Sequence, residues 1–201
     1  MTNLLQLDTY GVVHHELSDI DFLLNEVSII QNDFNAAKDA SYKLVGHIKK
    51  QYELSDNCVK QLESSLMPLV ERYSREKNFL TNKYNVSLDD THFCLPDAWV
   101  NFQEKYEYNP VHNHGGIFSF VIWLKVPYNR EEEDETGTCN GKFELFYQDT
   151  MGGLSAVTLP IDKSFENTML LFPSQMHHCV YPFYTSDDYR VSIAGNFFLK
   201  S

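Results

Sequence analysis

The chain has 201 residues, of which 43% are hydrophobic and 14% aromatic, so it has enough apolar surface to form a folded core. Its formal net charge of −12 argues against a nucleic-acid partner, because an acidic surface repels phosphate backbones. No segment approaches the ~20 consecutive apolar residues of a membrane-spanning helix, and Met1–Tyr10 lacks the basic and apolar stretches of a signal peptide.

The first half of the chain has mainly helical patterns. After a short strand near Tyr10–His15, apolar residues at helical spacing predict a helix that begins at Asn32 or Asp33. Its apolar positions are Ala37, Ala40, Leu44, Ile48 and Tyr52. Ser55 and Asp56 offer an N-cap for a second helix, with apolar positions at Val59, Leu62, Leu66, Leu69 and Tyr73. Pro68 predicts a kink or a new helix start, and the helical pattern fades at 78–83.

The second half is rich in short apolar runs separated by glycine and proline, a pattern typical of strands. These runs are Ala98–Phe102, Ile117–Val126, Gly141–Gln148, Leu154–Leu159, Thr168–Phe172, Cys179–Tyr181 and Tyr189–Leu199. The acidic run Glu131–Glu135 is typical of a solvated loop. We predict one α+β domain over 1–201, in which 1–90 supply helices against one face of a barrel or sandwich formed by 91–201.

The four cysteines indicate a reducing compartment. They stand far apart, at positions 58, 94, 139 and 179, and none has the CxxC spacing of a zinc or redox motif. We therefore expect free thiols in a cytoplasmic protein, or in the host cytoplasm if a phage encodes it.

Two histidine motifs carry the strongest chemical signal. His112 and His114 are two residues apart, a spacing that points both side chains to one face of a strand and toward one metal ion. His177 and His178 follow an apolar strand and the Phe172-Pro173-Ser174 turn. Such histidines are often surface or core residues, but three converging imidazoles would leave the open coordination positions that iron catalysis needs.

Arg190 is the third candidate. Alternation along the last strand places Arg190, Ser192 and Ala194 on one face, and Val191 and Ile193 on the other. A buried arginine requires a partner, and a carboxylate bound by its fork satisfies it. The partner is either an anionic ligand or an internal acid such as Asp187 or Asp188.

The order of these pieces resembles the iron(II)- and 2-oxoglutarate-dependent oxygenases. The similar features are HxH, FPS-x3-H, an arginine twelve residues later and S-x3-N, over about Trp99–Phe198. The segment PSQMHHCVYPF is most similar to the prolyl-hydroxylase-like branch and its phage and bacterial relatives. The resemblance implies a double-stranded β-helix, that is, a jelly-roll or cupin-like barrel.

The resemblance also implies the roles of the site residues. His112, His114 and His178, rather than His177, would hold Fe(II). Arg190 and Ser192 would bind the distal carboxylate of 2-oxoglutarate. Trp123 stands where relatives often have a tyrosine that reaches the same carboxylate, unless it only packs. Asn101 would contact the co-substrate or simply end a strand. With dioxygen as the oxidant, the implied activity is a dioxygenase, specifically a hydroxylase of a peptide side chain or a small molecule.

One position departs from the family pattern. The family usually has His-x-Asp or His-x-Glu, whereas this chain has His112-Asn113-His114. His114 ligates iron in place of the carboxylate, or it lies nearby while water ligates, or catalysis has been lost. We favour ligation because the spacing is kept and imidazole is a good ligand for iron.

Two other functions fit part of this pattern. One is a three-histidine cupin-type dioxygenase that uses no 2-oxoglutarate; it would have no need of Arg190 and Ser192. The other is a non-catalytic barrel-fold binding module. Oligomeric state is open, and a homo-oligomer is possible.

Overall fold

The computed structural model describes residues 10–43 and 45–200, without the side chain of Lys43. The predicted positions Met1–Thr9 and Leu44 lie outside the described residues. The helices are α1 (Asp21–Asn32), α2 (Asp56–Glu76), α3 (Phe79–Tyr84) and α4 (Arg130–Thr136). The strands are β1 (Val13–Glu16), β2 (Gln51–Glu53), β3 (Phe93–Cys94), β4 (Ala98–Gln103), β5 (Asn109–His112), β6 (Phe118–Lys125), β7 (Phe143–Gln148), β8 (Leu154–Leu159), β9 (Thr168–Pro173), β10 (His177–Val180) and β11 (Arg190–Leu199).

Two antiparallel sheets form the body of the fold. The larger has the order β1-β9-β6-β11-β4-β2, with β3 also paired to β11, and the smaller has the order β5-β10-β7-β8. Their inner faces share a buried cluster that includes Trp123 and Phe172 from the larger sheet and Phe143 and Leu145 from the smaller. The described strands form no ladder between the sheets, so they face each other without closing into one hydrogen-bonded barrel.

The N-terminal helices α1, α2 and α3 cover the outer face of the larger sheet, as predicted. Buried residues of α1, α2 and α3 share one cluster with the outward-facing residues of β4, β6, β9 and β11. On β11, Val191 and Ile193 belong to this cluster, whereas Ser192 and Ala194 line a cavity between the sheets. The predicted alternation of β11, which decides which of its residues can reach a site, is therefore confirmed.

The predicted first helix is wrong. The segment 33–52 contains turns, one short 3-10 helix at Ser41–Lys43, and β2, which pairs with β4. Asp33 and Asp39 accept hydrogen bonds from backbone N–H groups two residues on, and such local bonds compete with a helix. The first helix is instead α1, whose buried residues Leu23, Val27 and Ile30 have the helical spacing.

The second predicted helix is confirmed as α2. The Ser55 hydroxyl accepts a hydrogen bond from the Cys58 N–H and so caps its start. Pro68 lies within this one helix on its exposed side, where water can solvate the carbonyl that loses its partner. The expectation that the helical pattern fades at 78–83 is wrong, because this segment forms the short helix α3.

The acidic run is not a solvated loop but the helix α4. The side chain of Glu133 points inward and is fully buried. Its carboxylate accepts hydrogen bonds of 2.6–3.0 Å from the N–H groups of Tyr184 and Thr185 and from the Thr185 hydroxyl. The acidic segment thus fixes the loop between β10 and β11, next to the start of β11.

The cysteines and the helix lengths can also be compared with the sequence predictions. All four cysteines are free, as predicted. No helix among the described residues is long and apolar enough to span a membrane.

Candidate metal and co-substrate site

Three histidines converge between the two sheets. His112 ends β5 and lies opposite His178 of β10 in the antiparallel register, so their side chains share one face. His114 follows in the loop after β5, where its N–H donates to the Ser174 carbonyl at 2.9 Å. The ring centroids are 4.3 Å apart for His112 and His178, 4.9 Å for His112 and His114, and 5.0 Å for His114 and His178.

The ligand atoms of these rings are close enough to share one ion. One ring nitrogen from each histidine lies within 4.8 Å of the others. Two nitrogens that share an ion lie at most about 4.2 Å apart, at ~2.1 Å from the metal each, so small ring rotations complete the site. His177 is exposed and has no place in the cluster.

Hydrogen bonds orient two of the rings. His112 Nδ1 lies 2.7 Å from the Pro110 carbonyl, and His178 Nδ1 lies 3.1 Å from the Met176 carbonyl. A carbonyl only accepts, so each Nδ1 carries the proton and each Nε2 keeps a free lone pair. This is the arrangement of histidines that bind metals.

Burial keeps all three imidazoles neutral. Desolvation lowers the pKa of His178 to about 3 and that of His114 to about 4, and it also lowers the pKa of His112. A protonated imidazole has no lone pair for a metal. The three rings are therefore in the ligating form at neutral pH.

Gly116 lets the loop that carries His114 lie close to the backbone of β11. Gly116 has a φ of +90°, and a Cβ there would lie 2.8 Å from the Phe197 carbonyl oxygen. Both the left-handed conformation and the close approach require glycine.

The histidines lie between an inner cavity and an outer cleft. The inner cavity extends between the sheets, and its polar lining includes Gln51, Asn101, Gln103, Ser119 and Ser192. The outer cleft has a volume of about 370 Å³. Its lining comprises Val45, Pro96, Asp97, Trp99, Asn113, Gly115, Asn196 and Phe198 together with His112 and His114.

Asn101 and Ser192, two of the predicted co-substrate contacts, line the inner cavity as neighbours on β4 and β11. Gln51 of β2 donates to Asn101 Oδ1 at 2.7 Å, and Asn101 Nδ2 donates to Ser192 Oγ at 3.3 Å. The three side chains form an uncharged polar row across the larger sheet. Gln51 was missed because its segment was interpreted as a helix.

Arg190 is buried, with only 2% of its surface exposed, but it does not line the inner cavity. Its donors are bound by neutral acceptors, which are Gln103 Oε1, Tyr128 Oη and the carbonyl oxygens of Gly141 and Tyr181, at 2.6–3.0 Å. The alternative partners Asp187 and Asp188 instead pair with Lys105 and Lys125. Arg190 is therefore a buried cation whose contacts here carry no negative charge.

Trp123 lies in the cluster between the sheets rather than on the cavity wall. Its ring packs edge-on against Phe143 and Phe165, with centroids 5.7 Å away in both cases. A co-substrate contact for Trp123 stays a prediction.

Residues 97–196, about half of the chain, match the model of the family described as "Putative 2OG-Fe(II) oxygenase". All the predicted site residues fall within this match. No curated protein matches the chain.

Several solved structures share the fold. A Pseudomonas putida prolyl-4-hydroxylase has a TM-score of 0.57 at 14% identity, over 96% of this chain and 95% of its own. AviO1 from Streptomyces viridochromogenes has a TM-score of 0.56 at 10% identity, over 94% and 89%. A 2OG-Fe(II) oxygenase-family oxidoreductase from Burkholderia pseudomallei has a TM-score of 0.50 at 13% identity, over 94% and 85%. These likenesses confirm the predicted jelly-roll fold.

Proposed function

Because the chain belongs to the iron(II)- and 2-oxoglutarate-dependent oxygenases, we propose that it is a hydroxylase whose substrate enters by the outer cleft. The family uses Fe(II), 2-oxoglutarate and dioxygen. When bound, the metal supplies the oxidative decarboxylation of 2-oxoglutarate to succinate and carbon dioxide, coupled to oxidation of the substrate. The observation that carries the proposal is the convergence of three neutral imidazoles, one buried and two partly buried, at one point.

His112, His114 and His178 would hold the iron. Two of them present Nε2 toward the cavity because a carbonyl holds their Nδ1–H. With His114 in place of a carboxylate, the metal site has one more positive charge than the usual site of two histidines and one carboxylate. This extra charge favours an anionic co-substrate.

Asn101, Ser192 and Arg190 would form the co-substrate end of the site. A dicarboxylate in the inner cavity brings negative charge close to a guanidinium that has only neutral partners. Opposite charges attract more strongly away from water, so this buried cation supports an anionic ligand. The uncharged row of Gln51, Asn101 and Ser192 supplies further hydrogen-bonding groups.

The outer cleft would receive the prime substrate. Val45, Trp99 and Phe198 give it an apolar lining, and the amide side chains of Asn113 and Asn196 provide hydrogen-bonding groups. No lysine or arginine is among its described lining residues. Because Asp97 also lines the cleft, we propose a peptide side chain or small molecule without negative charge, held by apolar contact and oriented by amides.

Succinate formation tests the proposal. Purified protein supplied with Fe(II), 2-oxoglutarate and dioxygen is expected to release succinate even without a prime substrate, and a chelator is expected to stop it. A three-histidine dioxygenase without a 2-oxoglutarate requirement, or a non-catalytic module, would give no succinate above a metal-free control.

Substitution of His114 tests the unusual ligand. His114→Asp restores the usual carboxylate, so we expect it to keep iron binding and succinate formation. His114→Ala removes a ligand, and we expect iron affinity to fall at least ~10-fold. Anaerobic titration with Fe(II) measures both variants. If His114→Ala binds iron as tightly as the wild type, His114 is not a ligand.

A further inference from the structure

The fork of Arg190 is already occupied. Its Nε and Nη2 both donate to Oε1 of Gln103, at 3.0 and 2.6 Å. Nη1 donates to Tyr128 Oη and the Gly141 carbonyl, and Nη2 also donates to the Tyr181 carbonyl. A guanidinium has five N–H groups, so these five bonds use all of them. In this arrangement Arg190 has no N–H left for a ligand.

Gln103 stands between Arg190 and the inner cavity. Gln103 lines the cavity, and its Nε2 donates one hydrogen to the Glu107 carbonyl at 2.6 Å. An amide nitrogen carries two hydrogens, so a second N–H is left. Glu107 and Arg190 hold both ends of the amide, which fixes its orientation.

We propose that Gln103 is the residue of this chain that recognises the distal carboxylate of 2-oxoglutarate. The carboxylate accepts from the second Nε2–H of Gln103, beside Asn101 and Ser192 on the same cavity wall. Arg190 acts through Gln103 as a positioning residue. Its guanidinium fixes the Gln103 amide, polarises the amide carbonyl and places positive charge on the side of the amide away from the ligand. This inference rests on the proposed function, and it assigns the direct contact to an amide rather than to the guanidinium.

The test compares 2-oxoglutarate with pyruvate, a 2-oxo acid that lacks the distal carboxylate. Binding of each acid to the anaerobic Fe(II) protein is measured by calorimetry. Gln103→Met has a similar length but no donor, so we expect the affinity for 2-oxoglutarate to fall about 10-fold while that for pyruvate changes less than about 2-fold. Gln148→Met, at an exposed position of β7, is the matched control and should change neither affinity.

Direct binding by Arg190 predicts the opposite result. Removing Gln103 would then free the fork, and the affinity for 2-oxoglutarate would stay or rise; that outcome in folded Gln103→Met overturns the inference. If Gln103→Met does not fold, Gln103→Glu replaces it. Its carboxylate pairs with Arg190 and repels the ligand, so we expect loss of selectivity for 2-oxoglutarate over pyruvate, and retained selectivity overturns the inference. Wild-type protein that binds no 2-oxoglutarate would instead contradict the proposed function.

Discussion

Replacing His178 with alanine is expected to abolish specific iron binding and, with it, succinate formation. His178 is the most buried of the three histidines and contacts both of the others. Loss of a hydrogen-bond partner behind a ligand already costs 10–100-fold in metal affinity, so loss of the ligand itself should cost at least ~100-fold. Anaerobic titration with Co(II), followed through its visible absorption, measures this directly.

The neighbouring histidine supplies the control. His177 is next in sequence but exposed and outside the cluster, so His177→Ala should bind metal as the wild type does. Equal losses in both variants would mean that His178→Ala acts through folding. Wild-type affinity in His178→Ala would contradict the assignment of the ligands.

Arg190→Met is expected to lower the free energy of unfolding by about 3–5 kcal/mol. Methionine is apolar and fits the same space in part, but it leaves acceptors on Gln103 and Tyr181 without their donor. The Gly141 carbonyl keeps only its hydrogen bond from the Tyr128 hydroxyl. Each buried acceptor that is left without a donor lowers the free energy of unfolding by roughly 1–3 kcal/mol. Arg190 also connects β4, the segment before β7 and the segment after β10, so several elements lose a common partner at once.

Urea unfolding measures this effect. Lys105→Met, which removes a surface cation that pairs with the exposed Asp187 and lies over the Tyr106 ring, should change stability by about 0.5 kcal/mol or less. A loss below about 1 kcal/mol in Arg190→Met would show that the five hydrogen bonds do not form together in solution.

The periodic part of the fold could be predicted from the sequence. Strand alternation on β11 correctly divides Val191 and Ile193 from Ser192, and Ser55 correctly marks the start of α2. The same reasoning failed at 33–52, because Asp33 and Asp39 form local turns and Gln51 pairs with Asn101 of a distant strand. A helical spacing of apolar residues carries no information about such non-local pairing.

The sequence predicts those parts of the site whose side chains belong to one short motif. The HxH spacing and the histidine after the FPS turn led to the cluster. Strand geometry accounts for His112 and His178, which lie opposite each other on β5 and β10, whereas His114 reaches the cluster from the loop after β5. The surroundings of Arg190 were not predictable, since its acceptors come from positions 103, 128, 141 and 181. Gln103 did carry a signal, however, because it shares a strand face with Asn101.

Glu133 shows the same limit for charged residues. The run Glu131–Glu135 contains no pattern that distinguishes one glutamate from the others. Only the loop at Tyr184 and Thr185, about fifty residues later, gives Glu133 the N–H groups that make its burial possible.

The most direct test is a crystal structure of the protein grown without oxygen in the presence of Fe(II) and 2-oxoglutarate. Anomalous scattering at the iron edge is expected to show one ion bound by Nε2 of His112 and His178 and by a ring nitrogen of His114. The 2-oxoglutarate should chelate that ion and extend its distal carboxylate into the inner cavity toward Gln103, Asn101 and Ser192. An ion elsewhere, a His114 ring turned away from it, or an inner cavity without 2-oxoglutarate would contradict this account.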